Sequence, residues 1–194
     1  TVLNKSCESE FLKSINKKNL DFSIIAPLSQ DKNFGLITKD LDLKNRGIFE
    51  TNYVKGFALL IDVKIIKKIG MFDKNIFLYF EEIDLCKRLR VNNYKIYVNT
   101  NAKIYHKAAK SSNIGFEFDK CRHWHWMWSS VYYKKKYSNY LEALINFVPI
   151  IFTSLLKMMF YTFIFQKKKI VINYMRFSGT LNALVGKNSW YRPN

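Results

Sequence analysis

The 194-residue chain is 48% hydrophobic and 16% aromatic, enough apolar material for a packed core, which excludes a disordered tail. Its 32 Lys and Arg residues against 15 Asp and Glu residues give a net charge of +17, of which residues 101–194 carry +12 (15 basic and 3 acidic residues). Only 6 of the 32 basic residues are Arg, the residue that binds nucleic-acid bases through bidentate contacts. The positive charge therefore predicts an anionic membrane surface as the partner and no nucleic acid.

In chain order, the first predicted element is a helix that Ser6 can cap and that ends near Lys17-Lys18. The stretch 28–52 is polar and is predicted to be irregular. The other elements between residues 20 and 106 alternate in type: a strand at 22–26 stopped by Pro27, a strand at 53–61, a helix capped by Asp62 and ended at Gly70, a helix opening at Glu81, and strands at 94–98 and 103–106. This alternation predicts an α/β fold.

After about residue 117 the chain becomes aromatic and basic, and residues 141–165 are strongly apolar. The run 147–165 is barely long enough to cross a bilayer, and Lys157 near its middle offsets most of the favourable transfer of its apolar residues. Lysine triplets flank it at 134–136 and 167–169. We therefore predict a helix hairpin that lies on the membrane surface, with Trp124, Trp126 and Trp128 as interfacial anchors or core residues.

Cysteine and histidine usage gives little sign of a structural metal or of disulfides. The three cysteines are widely spaced and form no CxxC pair, which predicts reduced thiols in a cytosolic compartment. Cys121-x-His123-x-His125 could suggest zinc, but alternate positions on a helix point to different faces, which favours packed or membrane-facing side chains.

The candidate chemistry lies at Glu81-Glu82-x-Asp84, where three carboxylates open a helix directly after five apolar residues. A loop-to-helix junction at the end of a buried strand is where α/β folds place ligands. A partly desolvated carboxylate at that place could act as a general base. The alternative is structural, because acids in a first helical turn are ordinary caps and Asp84 with Arg88 forms an ordinary i,i+4 pair.

The acidic motif belongs to a long ordered block, residues 53–112. Its most informative segments are Gly56-Phe57-Ala58-Leu59-Leu60-Ile61-Asp62, Ile69-Gly70-Met71-Phe72-Asp73, Phe77-Leu78-Tyr79-Phe80-Glu81-Glu82-Ile83-Asp84-Leu85-Cys86-Lys87-Arg88-Leu89, Tyr94-Lys95-Ile96, Ala102-Lys103-Ile104-Tyr105-His106 and Ser111-Ser112. These segments closely resemble glycosyltransferase family 2, and most of all its rhamnosyltransferase-type branch, which builds bacterial surface polysaccharides. The basic aromatic end of the chain, residues 186–192, is similar to tails of that branch.

The resemblance implies a GT-A (Rossmann-like) fold and inverting transfer of a sugar from a UDP- or dTDP-sugar donor to a lipid-linked saccharide acceptor, on the cytoplasmic face of the bacterial inner membrane. It assigns Glu82 as the catalytic base and Glu81 and Asp84 as acceptor-binding residues. His106 would be a ligand to a divalent metal, Mg²⁺ or Mn²⁺, that neutralises the leaving diphosphate.

One departure from the family pattern concerns the donor side. The D-x-D-like metal motif would fall at residues 2–6, where Asn4-x-Ser6 offers no carboxylate, and we expect the donor-binding strands that precede it in the family to be missing. We therefore expect the acceptor-side part of a GT-A domain at 1–116, with a half-built donor site, and a membrane-associated helical region at 117–194. The alternatives are a non-catalytic pseudoenzyme or partner subunit, and a nucleic-acid-binding module with steeply salt-dependent binding.

Overall fold

Alternating strands and helices are followed by three long helices. The computed structural model describes residues 2–3, 5–16, 20–29, 46–105 and 115–193. Two compact units share the chain: residues 1–73 with 81–113, here the sheet unit, and residues 74–80 with 114–194, here the helical unit. The α/β prediction is confirmed at this level.

The sheet unit is built on a mixed sheet in which five strands take part. Its elements are β1 (Val2–Leu3), α1 (Lys5–Asn16), β2 (Ile24–Ser29), β3 (Ile48–Glu50), β4 (Leu60–Ile61), α2 (Val63–Lys68), α3 (Glu81–Val91) and β5 (Ile96–Tyr105). The hydrogen-bonded order is β1-β5-β2-β4, and β3 also pairs with β5. Among the described strands, only the β2–β5 pairing is parallel. The long strand β5 pairs with β1, β2 and β3, and β4 joins the sheet through β2.

Several predicted strand boundaries are wrong. Pro27 lies inside β2 and does not end it; the β2–β5 register shifts directly after Pro27, and a proline fits at such an irregularity because its missing N–H is not needed there. Of the predicted strand 53–61 only β4 is extended, and β3 lies in the stretch predicted to be irregular. Ser6 falls inside α1, which begins at Lys5, and so it does not precede the helix as a cap.

The strands predicted separately at 94–98 and 103–106 are one strand, β5, as far as the described residues reach. The sequence between them, Asn99-Thr100-Asn101, has the composition of a turn. It is nevertheless extended, and residues outside β5 form hydrogen bonds with its polar side chains. The Asn99 side chain donates to the Ser14 hydroxyl at 2.9 Å, and the Thr100 hydroxyl accepts from the Gly47 N–H at 2.9 Å. Tertiary hydrogen bonds therefore keep a polar segment extended in the middle of the sheet.

Helices α2 and α3 are found where the sequence predicts them. The Asp62 carboxylate accepts from the backbone N–H groups of Lys64 and Ile65 at 2.8 and 3.2 Å, which satisfies donors that the first turn of α2 leaves free. Helix α3 packs Leu85, Cys86 and Leu89 into the main core of the sheet unit. This packing fixes the orientation of α3, and with it the direction in which the acidic first turn points.

The helical unit consists of α4 (Phe116–Tyr137), α5 (Tyr140–Phe163) and α6 (Lys167–Leu184). Trp124 and Trp128 lie in its core, whereas Trp126 is half exposed. Helix α6 approaches α4 closely at Gly179, where a Cβ would overlap the Trp124 carbonyl oxygen. The core interpretation of the tryptophans therefore holds for two of the three.

Helices α5 and α6 pack against each other as a hairpin joined by residues 164–166. Helix α5 is continuous, with Pro149 inside it, and among the described residues it is the one helix long and apolar enough to cross a membrane, by length and composition alone. That this hairpin lies on a membrane remains a prediction.

Candidate active site

The acidic motif forms the first turn of α3, where the free N–H groups of a helix favour negative charge. Glu81 and Glu82 are half-buried and Asp84 is fully buried. Three carboxylates in one turn thus have three different environments, and each environment permits a different role.

Glu82 has the environment of a general base. Burial raises the pKa of its carboxyl above the ordinary value, and the neighbouring charge of Glu81 adds to the rise, while hydrogen bonds from backbone groups, including Gly56 and Ile83, oppose it. A raised pKa brings the carboxylate closer to the operating pH, where a base is most effective. The raised pKa makes Glu82 a stronger base than an exposed glutamate.

Gly56 provides the backbone against which Glu82 lies. A Cβ added at Gly56 would be 3.4 Å from the Cβ of Glu82 and 3.6 Å from its carboxyl carbon. The sequence predicts a close backbone approach at this glycine, and the contact is present, although the surrounding residues are not a strand. A glycine here lets the chain reach the carboxylate with its N–H.

Lys55 was missed by sequence reasoning. Burial lowers the pKa of its ammonium group, and the negative charge of Glu82 partly restores it. The interaction places a cation near the proposed base. A single lysine among 26 gives no signal in the sequence, so only the fold reveals it.

Asp84 braces the first turn of α3. Its carboxylate accepts a hydrogen bond from the Arg88 Nε at 2.8 Å, and Arg88 also donates to the backbone carbonyls of Ile69 and Met71 at 2.8 and 2.6 Å. The pair therefore ties α3 to the turn that follows α2. The Asp84 side chain is fully buried. Its predicted contact with an acceptor remains a prediction.

Glu81 has an unused hydrogen-bond acceptor. Its Oε2 atom is buried, and among the described residues it is the one buried side-chain oxygen or nitrogen with no hydrogen-bond partner. Such a group is costly unless a donor reaches it. The acceptor-binding role predicted for Glu81 stays a prediction.

The segment leading into α3 is strained. Tyr79 and Phe80 have φ values of +64° and +73°, a conformation that aromatic side chains rarely adopt. Within the helical unit, the rings of Tyr79 and Phe80 contact Trp126 at centroid distances of 5.2 and 5.5 Å, and Arg122 donates to the Tyr79 hydroxyl at 2.8 Å. Strain held by surrounding contacts is common at functional sites, and this segment is bonded directly to Glu81.

The described residues do not form a metal site. They contain no group of three or more His, Cys, Asp or Glu side chains that could hold an ion, and His106 lies outside them. His125 has both ring nitrogens in hydrogen bonds, to the Tyr191 carbonyl at 2.7 Å and the Ser189 hydroxyl at 3.2 Å. The metal-ligand role predicted for His106 stays a prediction.

The raised pKa of Glu82 has a consequence for stability. The folded chain binds this proton more tightly than the unfolded chain, so the free energy of unfolding falls as pH rises above the ordinary glutamate pKa of 4.5. Glu82→Gln removes the ionisable group, and we expect the variant to gain stability relative to the wild type between pH 4 and neutrality. Urea unfolding of both chains across that range measures the difference, and a difference that does not change with pH would contradict the burial of Glu82.

Comparisons with known proteins identify no relative. A scan against protein-family models, a search of curated proteins and a search of solved structures each found no match.

Proposed function

We propose that this chain is the acceptor-side part of an inverting, nucleotide-sugar-dependent glycosyltransferase with a GT-A fold, acting on a lipid-linked saccharide in bacterial cell-surface glycan synthesis. The observation that carries the proposal is Glu82, a half-buried carboxylate with a raised pKa at the start of α3, against the backbone of Gly56. The long resemblance of residues 53–112 to glycosyltransferase family 2 supports the same function.

In the proposed reaction, Glu82 takes the proton from an acceptor hydroxyl as that oxygen attacks the anomeric carbon of the donor sugar. The new glycosidic bond forms as the bond to the nucleoside diphosphate breaks, and attack from the opposite face inverts the anomeric configuration. Glu81 accepts a hydrogen bond from a second hydroxyl of the acceptor and so orients it. Asp84 and Arg88 keep the helix turn that presents both glutamates in place.

The test is transfer of radiolabelled sugar from UDP- and dTDP-sugars to an extract of bacterial lipids, catalysed by the acceptor-side part joined to a donor-binding part and measured with Glu82→Gln. We expect kcat to fall roughly 100- to 10,000-fold, the usual contribution of general-base catalysis, with donor affinity nearly unchanged. Glu8→Gln, an exposed position on α1, is the matched control and should keep full activity.

Two outcomes would change the proposal. Unchanged turnover in Glu82→Gln would remove Glu82 from the role of base. Transfer by neither the wild type nor any variant, with every donor tried, would favour the non-catalytic alternative.

Membrane association of the helical unit is the second half of the proposal. Helix α5 exposes most of its large apolar side chains, and residues 143–194 contain seven basic residues and no acidic one. An apolar face combined with uncompensated positive charge is the pattern of helices that lie on anionic lipid. A lipid-linked acceptor would then reach the enzyme within the plane of the membrane.

A further inference from the structure

A cationic cleft lies between α5 and α6 of the helical unit. Its volume is about 330 Å³, and four of its seven lining residues are cations: Lys157, Lys168, Lys169 and Arg176. None of the lining residues is acidic. The two helices therefore place four positive charges around one concave surface.

Two of these cations lie over aromatic rings, and no carboxylate of the described residues neutralises them. The ammonium group of Lys169 lies over the ring of Tyr161 at 5.1 Å, and that of Lys168 lies over the ring of Phe116 at 5.9 Å. In the part of the chain that the structure describes, none of the four cations forms a salt bridge. Their mutual repulsion is uncompensated, so a bound anion would stabilise the cleft.

The cleft borders the exposed apolar face of α5. Phe160 is 58% exposed and Leu156 is 65% exposed, and these residues are direct neighbours of the cleft residues Tyr161 and Lys157 in the sequence. Phe163, 78% exposed, continues the same face. A soluble anion makes no use of such a face, whereas a lipid presents a charged headgroup and an apolar chain side by side.

We propose that the cleft binds the phosphate group of an anionic lipid headgroup while the apolar face of α5 enters the acyl layer beside it. The proposal rests on the membrane-associated half of the proposed function and adds a defined headgroup site to it. Arg176 offers a planar fork of donors suited to phosphate oxygens, and the three lysines add point charges around it.

The test is co-sedimentation of the full chain with two kinds of vesicle, phosphatidylcholine alone and equal parts of phosphatidylcholine and phosphatidylglycerol. We expect the wild type to prefer the anionic vesicles. The double variant Lys157→Gln, Arg176→Gln should bind them about 30-fold more weakly, since each basic residue near an anionic surface contributes about fivefold. The matched control, Lys64→Gln with Lys67→Gln on α2, removes the same charge from exposed positions and should lose less than about twofold.

The remaining outcomes separate this inference from the function on which it rests. Equal losses in the cleft variant and the control, with wild-type binding intact, would overturn the headgroup site alone. Absence of wild-type binding to anionic vesicles would overturn both the site and membrane association. Loss of inorganic pyrophosphate binding in the cleft variant, with its binding to anionic vesicles unchanged, would identify soluble phosphate as the ligand and overturn the lipid assignment. Circular dichroism of each variant confirms that its helices are formed.

Discussion

Replacing Gly179 with alanine is expected to destabilise the helical unit by about 3 kcal/mol or more, the upper range for overpacking. The added methyl group would overlap the Trp124 carbonyl oxygen and lie 3.2 Å from the carbonyl carbon of the same residue. These are backbone atoms of α4, which cannot rotate away as a flexible side chain could. The two helices must separate, and contacts of Trp124 and Trp128 in the core are lost with them.

The sign of this effect is the informative part. In a helix interior, alanine is ordinarily favoured over glycine by about 1 kcal/mol, so a stability loss can come only from the crowding of α4 against α6. Urea unfolding followed by tryptophan fluorescence reports on the helical unit, which contains all four tryptophans. Tyr174→Ala, at an exposed position on the same helix, is the control and should change stability little. A more stable Gly179→Ala variant would show that the helices do not approach as closely as described.

Replacing Asp84 with alanine is expected to destabilise the sheet unit by about 3 kcal/mol, the lower end of the range for breaking a buried ion pair. The Asp84 side chain is fully buried and that of Arg88 is 18% exposed. Without the carboxylate, Arg88 retains its two backbone carbonyl partners but loses the only negative charge that these contacts supply. An uncompensated, largely buried cation opposes folding.

An exposed ion pair of the same unit provides the matched control. Glu10→Ala removes the partner of Lys13, whose side chain is 72% exposed on α1, and should cost less than about 1 kcal/mol. Thermal unfolding of both variants, followed by circular dichroism, gives the comparison. If the two substitutions destabilise the chain equally, Asp84 does not have the bracing role assigned to it.

The sequence was informative where local chemistry decides the structure. Helix α2 could be predicted because Asp62 caps it, and α3 because acidic residues begin it and basic residues end it. Strand β5 could not be predicted whole, because the hydrogen bonds that keep Asn99 and Thr100 extended come from Ser14 and Gly47, which are distant in sequence.

The candidate site likewise contains one residue that the sequence predicts and others that depend on tertiary contacts. Glu82 could be proposed from the sequence because three carboxylates open a helix directly after an apolar run. Its partner Lys55 and the contact with Gly56 depend on a loop that passes α3 only in the folded chain. The bracing of α3 by Arg88 likewise depends on the carbonyl groups of a turn 17 to 19 residues away. Tertiary contacts of this kind leave no periodic signal.

The seven residues 74–80 limit where this chain can be cut or recombined without disrupting its two units. They belong to the helical unit, yet they lie between two stretches of the sheet unit, and the Ser129 hydroxyl donates to the Leu78 carbonyl at 2.8 Å. Cleavage or recombination near residue 114 would therefore separate residues 74–80 from the three helices with which they pack. The three helices therefore do not form a unit that can be exchanged without residues 74–80. Substitutions in the helices must also remain compatible with these residues, which immediately precede Glu81.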